Sequence, residues 1–292
     1  MLRRLAPVVL LFLLALTACG GGDDTSGRDK PTVVVGAYPF AWLVQQVVGD
    51  TAEVVTLVKP GVEPHDVELT PKQVAQLQGR VVVIYLKGFQ PAVDDAVAGR
   101  GNAYDLGAVV HQLTGTGEPG KDPHVWLDPV LMKAMAAEVV SILNDTTAWE
   151  GKNYPPLTFS SRDVAAQLDD LDRDIRGQLT GCARKDVVTS HAAFAYFAAR
   201  YGLQQRGITG LSPEAEPSPK RLAAVADYAR SHHVTTIFFE SLVSPKVAQT
   251  VASEVGAKTA VLDPLESVSG TDDYLTVMRR NAATLHDALG CR

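Results

Sequence analysis

Short apolar runs alternate with amphipathic segments through the first half of the chain. Between these runs, residues 41–49, 71–78 and 90–98 have helical patterns, and a longer amphipathic helix is predicted for PVLMKAMAAEVVSILN. The β-branched runs predict strands at TVVVGA, AEVVTLV, VVVIYL and the weaker NAYDL. Strands that are apolar throughout and alternate with helices predict a parallel sheet covered on both faces.

The same alternation restarts in the second half. Strands are predicted at DVVTS, LQQRGI, TTIFFE and KTAVLD, with helices near 193–201, 219–231, 245–255 and 272–289. We therefore predict an α/β fold of two lobes, each a mostly parallel sheet flanked by helices. The number of residues in the two lobes together exceeds what a single hydrophobic core usually holds.

The segment between the two halves, LTFSSRDVAAQLDDLDRDIRGQLT, predicts one long helix. Val164, Leu168, Leu171 and Ile175 recur at spacings of three and four, which is the pattern of an amphipathic helix. A helix of this length extends ~35 Å at ~1.5 Å per residue. We expect it to join the two lobes as a rigid connection.

The amino terminus indicates export. A positive MLRR start precedes the apolar run VVLLFLLAL, which is too short to span a bilayer. LTAC then resembles the bacterial lipobox, in which the chain is cut before the cysteine, here Cys19, and that cysteine is acylated. An ordinary secretory signal is the alternative. The glycine-rich GGGDDTSGRDK that follows is typical of a flexible tether.

These patterns give the predicted domain organisation and location. We expect the mature protein to be held by lipid at the extracytoplasmic face of the cell membrane. The predicted divisions are a lipoprotein signal peptide (1–18), a tether (19–30), a first α/β lobe (31–155), a connecting helix (156–181) and a second α/β lobe (182–292).

Charge and cysteine content narrow the possible partners. Removal of the signal peptide leaves 25 basic and 33 acidic side chains, with no basic stripe, which argues against a nucleic-acid partner. Beyond Cys19, the chain has only Cys182 and Cys291. An isolated pair of cysteines in an oxidising compartment predicts a disulfide.

Four metal-ligating side chains follow predicted strands. His65 comes after the second strand, His124 after the fourth strand, His191 directly after the first strand of the second lobe, and Asp263 after its last strand. Open α/β sheets bind ligands at the carboxyl ends of their strands. Three imidazoles and one carboxylate suit Zn²⁺, so we predict a metal site from these residues.

Two further residues lie near the predicted cleft. Glu240 ends the strand TTIFFE, and we predict that its carboxylate orients a ligating imidazole without binding the metal. His111 begins the loop that leads to His124 and is an alternative donor.

Several of these stretches resemble one known family. PGVEPHDVELTP, DPHVWLDP, SHAAFAYFAARYGL and EAEPSPKRL are similar to motifs of the receptors of bacterial ABC importers for zinc and manganese. The resemblance runs from about residue 31 to the carboxyl terminus. It implies a metal held between two lobes by His65, His124, His191 and Asp263, and its delivery to a membrane permease. The loop HQLTGTGEPGKDP lacks the histidine-rich insertion of many zinc receptors.

The resemblance leaves the metal open between Zn²⁺ and Mn²⁺. Manganese receptors of the family tend to carry a carboxylate where this chain has His191, which favours zinc here. We expect a monomer. In EAEPSP, Glu214 and Glu216 contribute to docking on the permease, or Glu216 and Ser218 simply start the helix at Pro219.

Enzymatic readings find little support in the sequence. GTGEPG matches the dinucleotide fingerprint, but DPHVW follows it where a helix is required. The hydrolase motifs G-x-S-x-G and H-E-x-x-H do not occur. Catalytic zinc usually keeps an open position, which a fourth protein ligand would close, so we predict a carrier and no enzyme. A zinc hydrolase and an adhesive surface lipoprotein are the alternatives, and the second predicts no stoichiometric metal.

Overall fold

The computed structural model describes residues 30–115, 120–148, 159–268 and 270–292. The predicted signal peptide, Cys19 and nearly all of the tether lie outside the described residues. The predicted boundary between the first lobe and the connecting helix lies outside them as well. Among the described residues, no helix is long and apolar enough to cross a membrane.

The first lobe is a four-stranded parallel sheet in the order β2-β1-β3-β4. Its successive strand residues face different cores, because side chains alternate across a strand: Val33 and Val35 pack into one cluster and Val34 into another. Its elements are β1 (Thr32–Val35), α1 (Tyr38–Val48), β2 (Glu53–Thr56), α2 (Pro71–Leu77), β3 (Val82–Tyr85), α3 (Pro91–Val97), β4 (Ala103–Asp105) and α4 (Pro129–Asp145).

The second lobe repeats this architecture with the order β6-β5-β7-β8, again all parallel. Val187 and Val188 on its central strand pack into opposite cores in the same way. The elements are β5 (Asp186–Thr189), α6 (Ala195–Tyr201), β6 (Gln204–Gly207), α7 (Pro219–Ser231), β7 (Thr236–Phe239), α8 (Lys246–Val255), β8 (Lys258–Val261) and α9 (Tyr274–Leu289).

Helix α5 (Arg162–Gln178) connects the lobes. The four predicted apolar positions are its buried residues, and the helix packs against α4 of the first lobe and α9 of the second. One core cluster includes Val33, Leu171 and Val187, so it runs from the first lobe through the helix into the second. The predicted fold class, two parallel α/β lobes joined by a long helix, is confirmed.

The connecting helix is shorter than its predicted range of 156–181. It begins only at Arg162, because the chain just before it is held differently: Phe159 is buried, and its backbone N–H donates to Asn144 Oδ1 at 3.2 Å. It ends before Gly181, whose φ of +62° lies in the left-handed region. Its 17 residues therefore extend ~25 Å at ~1.5 Å each.

The predicted disulfide between Cys182 and Cys291 is confirmed. It joins the segment after α5 to the segment after α9. Next to it, the N–H of Ala183 donates to the carbonyl of Gly290 at 3.2 Å, and that of Arg184 donates to the carbonyl of Leu289 at 3.1 Å. The bond therefore ties the two ends of the second lobe together.

Candidate metal centre

Three histidines meet between the carboxyl ends of the two sheets. His65 lies in the loop after β2, His124 immediately precedes a 3-10 helix (Val125–Leu127) at the entrance to α4, and His191 lies just beyond β5. All three are buried, with exposures of 8%, 0% and 2%. A carboxylate, Glu266, joins them at 1% exposure in the loop after β8.

The donor atoms of this group lie at nearly equal separations. Glu266 Oε1 is 3.1 Å from Nε2 of His65, 3.1 Å from Nε2 of His124 and 3.3 Å from Nε2 of His191. His124 Nε2 is also 3.3 Å from Nε2 of each of the other two histidines. A tetrahedral Zn²⁺ with bonds of ~2.0–2.1 Å requires donors about 3.3 Å apart. Five of the six donor separations therefore match that geometry closely.

The structure does not bring Asp263 into this group, contrary to the sequence prediction. Asp263 Oδ1 accepts a hydrogen bond from the backbone N–H of Leu265 at 2.8 Å, and Oδ2 accepts one from Ser241 Oγ at 3.3 Å. Its carboxylate is therefore engaged within a turn, and the chain reaches the cleft three residues later at Glu266. The second acid of LDPLES was the available signal, but the spacing alone does not show which acid faces inward.

Two of the histidines are oriented by carboxylates on their far side. Nδ1 of His124 lies 2.7 Å from Asp122 Oδ1, and Nδ1 of His191 lies 2.7 Å from Glu240 Oε1. A carboxylate accepts, so Nδ1 donates to it, and Nε2 is the ring nitrogen that faces the cleft. The contact to Glu240 is the one that the sequence suggested. Asp122 was missed, although the sequence DPH sets it two residues before His124.

The pKa values of the donor side chains depend on burial and on the charges of their neighbours. Burial lowers the pKa of His65. For His191, burial also acts to lower the pKa, but the charge of Glu240 outweighs it and raises the pKa to about 10. Burial would raise the pKa of Glu266, whereas its hydrogen bond with His124 and the charge of His191 hold that pKa well below its usual range. A cation entering the group therefore competes with the proton of the His191 imidazole.

A further carboxyl group lies beside the site. Glu63 Oε1 accepts a hydrogen bond from the backbone N–H of His65 at 2.7 Å and thereby shapes the loop that carries this histidine. Burial and the nearby charge of Glu266 raise the pKa of Glu63 to about 8. Glu63 is not among the residues predicted from the sequence.

Both lobes enclose the centre with hydrogen bonds that cross between them. Trp126 Nε1 donates to the Pro264 carbonyl at 2.7 Å, and the Gly61 N–H donates to Ser267 Oγ at 2.6 Å. The rings of Phe89 and Trp126 pack against His65 and His124, with centroids 4.8 and 5.2 Å apart. Two aromatic rings and two inter-lobe hydrogen bonds therefore close the cleft around the donors.

The alternative donor His111 is exposed and lies outside the group. In the part of the chain that the structure describes, the three histidines and Glu266 are the one group of histidine, cysteine and acidic side chains arranged to hold a metal ion.

Comparison with known families identifies where this arrangement belongs. Residues 33–288 match the family described as ZnuA, zinc-uptake complex component A periplasmic. The chain belongs to this family.

Curated relatives agree with this assignment. The chain is 35% identical to the high-affinity zinc uptake system protein ZnuA of Bacillus subtilis, across 97% of this chain and 96% of that protein. It is 34% identical to the zinc-binding lipoprotein AdcA of Streptococcus pneumoniae, across 94% of this chain and 58% of that protein. The chain thus spans little more than half of AdcA.

Solved structures share the fold. The Zn(II)-bound ZnuA-like domain of Streptococcus pneumoniae AdcA is 31% identical, with a TM-score of 0.72 across 89% of this chain and 99% of that domain. The laminin-binding protein Lmb of Streptococcus agalactiae, described as bifunctional with adhesin and metal-transporting activity, is 29% identical, with a TM-score of 0.77 across 89% and 99%.

Proposed function

We propose that this chain is the extracytoplasmic receptor of an ABC importer, which binds one Zn²⁺ between its lobes and delivers it to a membrane permease. The ligands are Nε2 of His65, His124 and His191 and a carboxylate oxygen of Glu266. The observation that carries the proposal is the tetrahedral spacing of these four buried donors, 3.1–3.3 Å across five separations.

Zinc is the metal that this donor set favours. Three imidazole nitrogens and one oxygen suit a borderline cation, whereas Mn²⁺ is harder and prefers oxygen donors. Zinc also lies above manganese in the Irving–Williams order. The names of the relatives support the same choice, since both curated relatives described above are named for zinc.

The same geometry favours transport over catalysis. A catalytic zinc usually has three protein ligands and keeps its fourth position for water or substrate. Here a fourth protein donor, Glu266, completes the tetrahedron in a buried cleft. The metal is thus the cargo of a receptor, and the chain is no enzyme.

The attachment to the membrane and to the permease completes the proposal. Acylation of Cys19 anchors the monomeric receptor, in keeping with the lipoprotein relative. Glu214 and Glu216 are both exposed before α7, and the helix is capped by another residue: Ser218 Oγ accepts from the Arg221 N–H at 3.2 Å. Because capping does not require the two glutamates, we assign them to docking against basic loops of the permease.

Metal analysis combined with single substitutions tests the site. The purified chain should contain one zinc per molecule after loading and dialysis. His65→Ala, His124→Ala and His191→Ala should each weaken zinc binding by more than about 100-fold in competition with a chelator, since even loss of an outer partner weakens metal sites 10–100-fold.

The matched control is His111→Ala, which removes an exposed histidine outside the group and should leave the affinity unchanged. Wild-type titrations in all three ligand variants would refute the site. Absence of stoichiometric zinc from the wild-type chain would instead favour a purely adhesive role.

A further inference from the structure

The turn that leads to Glu266 contains a residue in an unfavourable backbone conformation. Leu265 has a φ of +62° and is fully buried. Residues other than glycine rarely adopt this left-handed region, because Cβ then crowds the following carbonyl. The conformation of Leu265 sets the direction in which the next residue, Glu266, leaves the turn. Hydrogen bonds from other residues must therefore stabilise this conformation.

Asp263 and Asn281 provide that stabilisation. Asp263 Oδ1 accepts from the N–H of Leu265 at 2.8 Å and so closes the turn from within. Asn281, on α9 and 2% exposed, brackets Asp263: its Oδ1 accepts from the Asp263 N–H at 3.0 Å, and its Nδ2 donates to the Asp263 carbonyl at 2.7 Å. A buried amide that uses both of its groups on one residue fixes that residue firmly.

The opposite lobe holds the same turn. The Pro264 carbonyl accepts the hydrogen bond from Trp126 Nε1 at 2.7 Å, and Trp126 lies two residues after His124. Hydrogen bonds therefore fix the turn on two sides. Asn281 holds it to its own lobe, and Trp126 holds it to the segment of the other lobe that carries His124.

We propose that Asp263 and Asn281 are positioning residues of the metal centre. They hold Leu265 in its left-handed conformation, and so hold the carboxylate of Glu266 among the three imidazoles, without contacting the metal themselves. This inference rests on the proposed function, because it requires Glu266 to be a zinc ligand. It assigns a role to the acid that the sequence alone suggested as the ligand.

A double-mutant cycle with zinc affinity as the readout tests this role. Asp263→Ala should weaken zinc binding by about 10- to 100-fold, as loss of an outer partner does at other metal sites. In a Glu266→Ala background the same substitution should change the affinity by less than about twofold, because its effect acts through Glu266. Asp263→Asn keeps an oxygen that accepts from Leu265 N–H and should restore affinity to within about threefold of wild type.

Two further variants separate positioning from general stability. Asn281→Ala should reproduce the pattern of Asp263→Ala, including its disappearance in the Glu266→Ala background. Asp273→Ala is the matched control: its Oδ1 likewise accepts from a backbone N–H, that of Thr276 at 2.8 Å, at the start of α9. This control should lower the unfolding temperature without changing zinc affinity.

Each outcome has a separate meaning. A loss of affinity from Asp263→Ala that persists in the Glu266→Ala background would overturn the inference, since Asp263 would then act independently of Glu266. Wild-type affinity in both Asp263→Ala and Asn281→Ala, with Glu266→Ala weakened, would also overturn it and leave the zinc site intact. Wild-type affinity in Glu266→Ala would refute the ligand set of the proposed function itself.

Discussion

Removing the disulfide should destabilise the chain without changing the metal centre. The perturbation is the double variant Cys182→Ala/Cys291→Ala, which leaves no unpaired thiol at the site. The bond joins residues 109 apart, so it closes a loop that spans the whole second lobe. Both cysteines are partly buried against the main core, and alanine keeps most of their apolar contact.

The magnitude follows from the loop length. In the chain-entropy model, a closed loop of this size stabilises the folded state by about 4–5 kcal/mol through restriction of the unfolded chain. The native ends remain paired without the bond, because the Ala183–Gly290 and Arg184–Leu289 backbone hydrogen bonds persist. The loss should therefore arise in the unfolded state. At about 2–4 °C per kcal/mol, the melting temperature should fall by roughly 8–20 °C.

Urea unfolding of the oxidised wild type and the double variant measures this difference directly. The variant should also show a larger m-value, since its unfolded chain exposes more surface. Zinc affinity should stay within about twofold of wild type. Cys182, to which Cys291 is bonded, lies before the amino end of β5, whereas His191 lies beyond its carboxyl end.

Two results would refute this reasoning. A free energy of unfolding within about 1 kcal/mol of wild type would show that the loop restriction contributes little. A marked loss of zinc affinity would show that the bond shapes the distant cleft. Thiol counting on the denatured, unreduced wild type is the prior check, and it should find neither Cys182 nor Cys291 reactive.

The remaining predictions concern the metal itself. Glu240 raises the pKa of His191 to about 10, so this imidazole is protonated at pH 7.5 before zinc binds. Zinc must displace that proton, so zinc affinity should fall as the pH falls. Calorimetry in buffers of different ionisation enthalpy should detect release of at least one proton, and no release would contradict the charge assigned to His191. His191→Glu replaces a nitrogen donor with oxygen and should narrow the preference for zinc over manganese. Competition titrations with both metals check this, and an unchanged ratio would show that donor type does not set the preference.

Hydrophobic periodicity predicted the fold well because the buried positions of each helix or strand recur in the sequence with the period of that element. Each predicted strand has its counterpart, including β6, whose polar residues Gln204 and Gln205 suit a strand at the edge of the sheet. The start of α5 was harder to predict. Its position depends on the contact between Phe159 and Asn144, residues that lie in different segments and whose proximity no local pattern reveals.

The candidate site likewise contains ligands that the sequence predicts and one that it does not. Three histidines could be predicted because each follows a strand, and parallel strands bring their carboxyl ends to one edge. The fourth donor depends on a backbone torsion at Leu265, stabilised by Asn281 from a helix close to the carboxyl terminus. Such a turn has no signature in LDPLES, so the sequence indicates Asp263, the acid nearest the strand, and not Glu266.

The division of the four donors between the lobes has a mechanical consequence. His65 and His124 belong to the first lobe, and His191 and Glu266 belong to the second. Any separation of the two lobes leaves two donors on each wall, so the tetrahedral set is complete only while the lobes stay together. A displacement comparable to one metal–ligand bond, ~2 Å, is enough to place the two pairs of donors beyond bonding distance of a single ion.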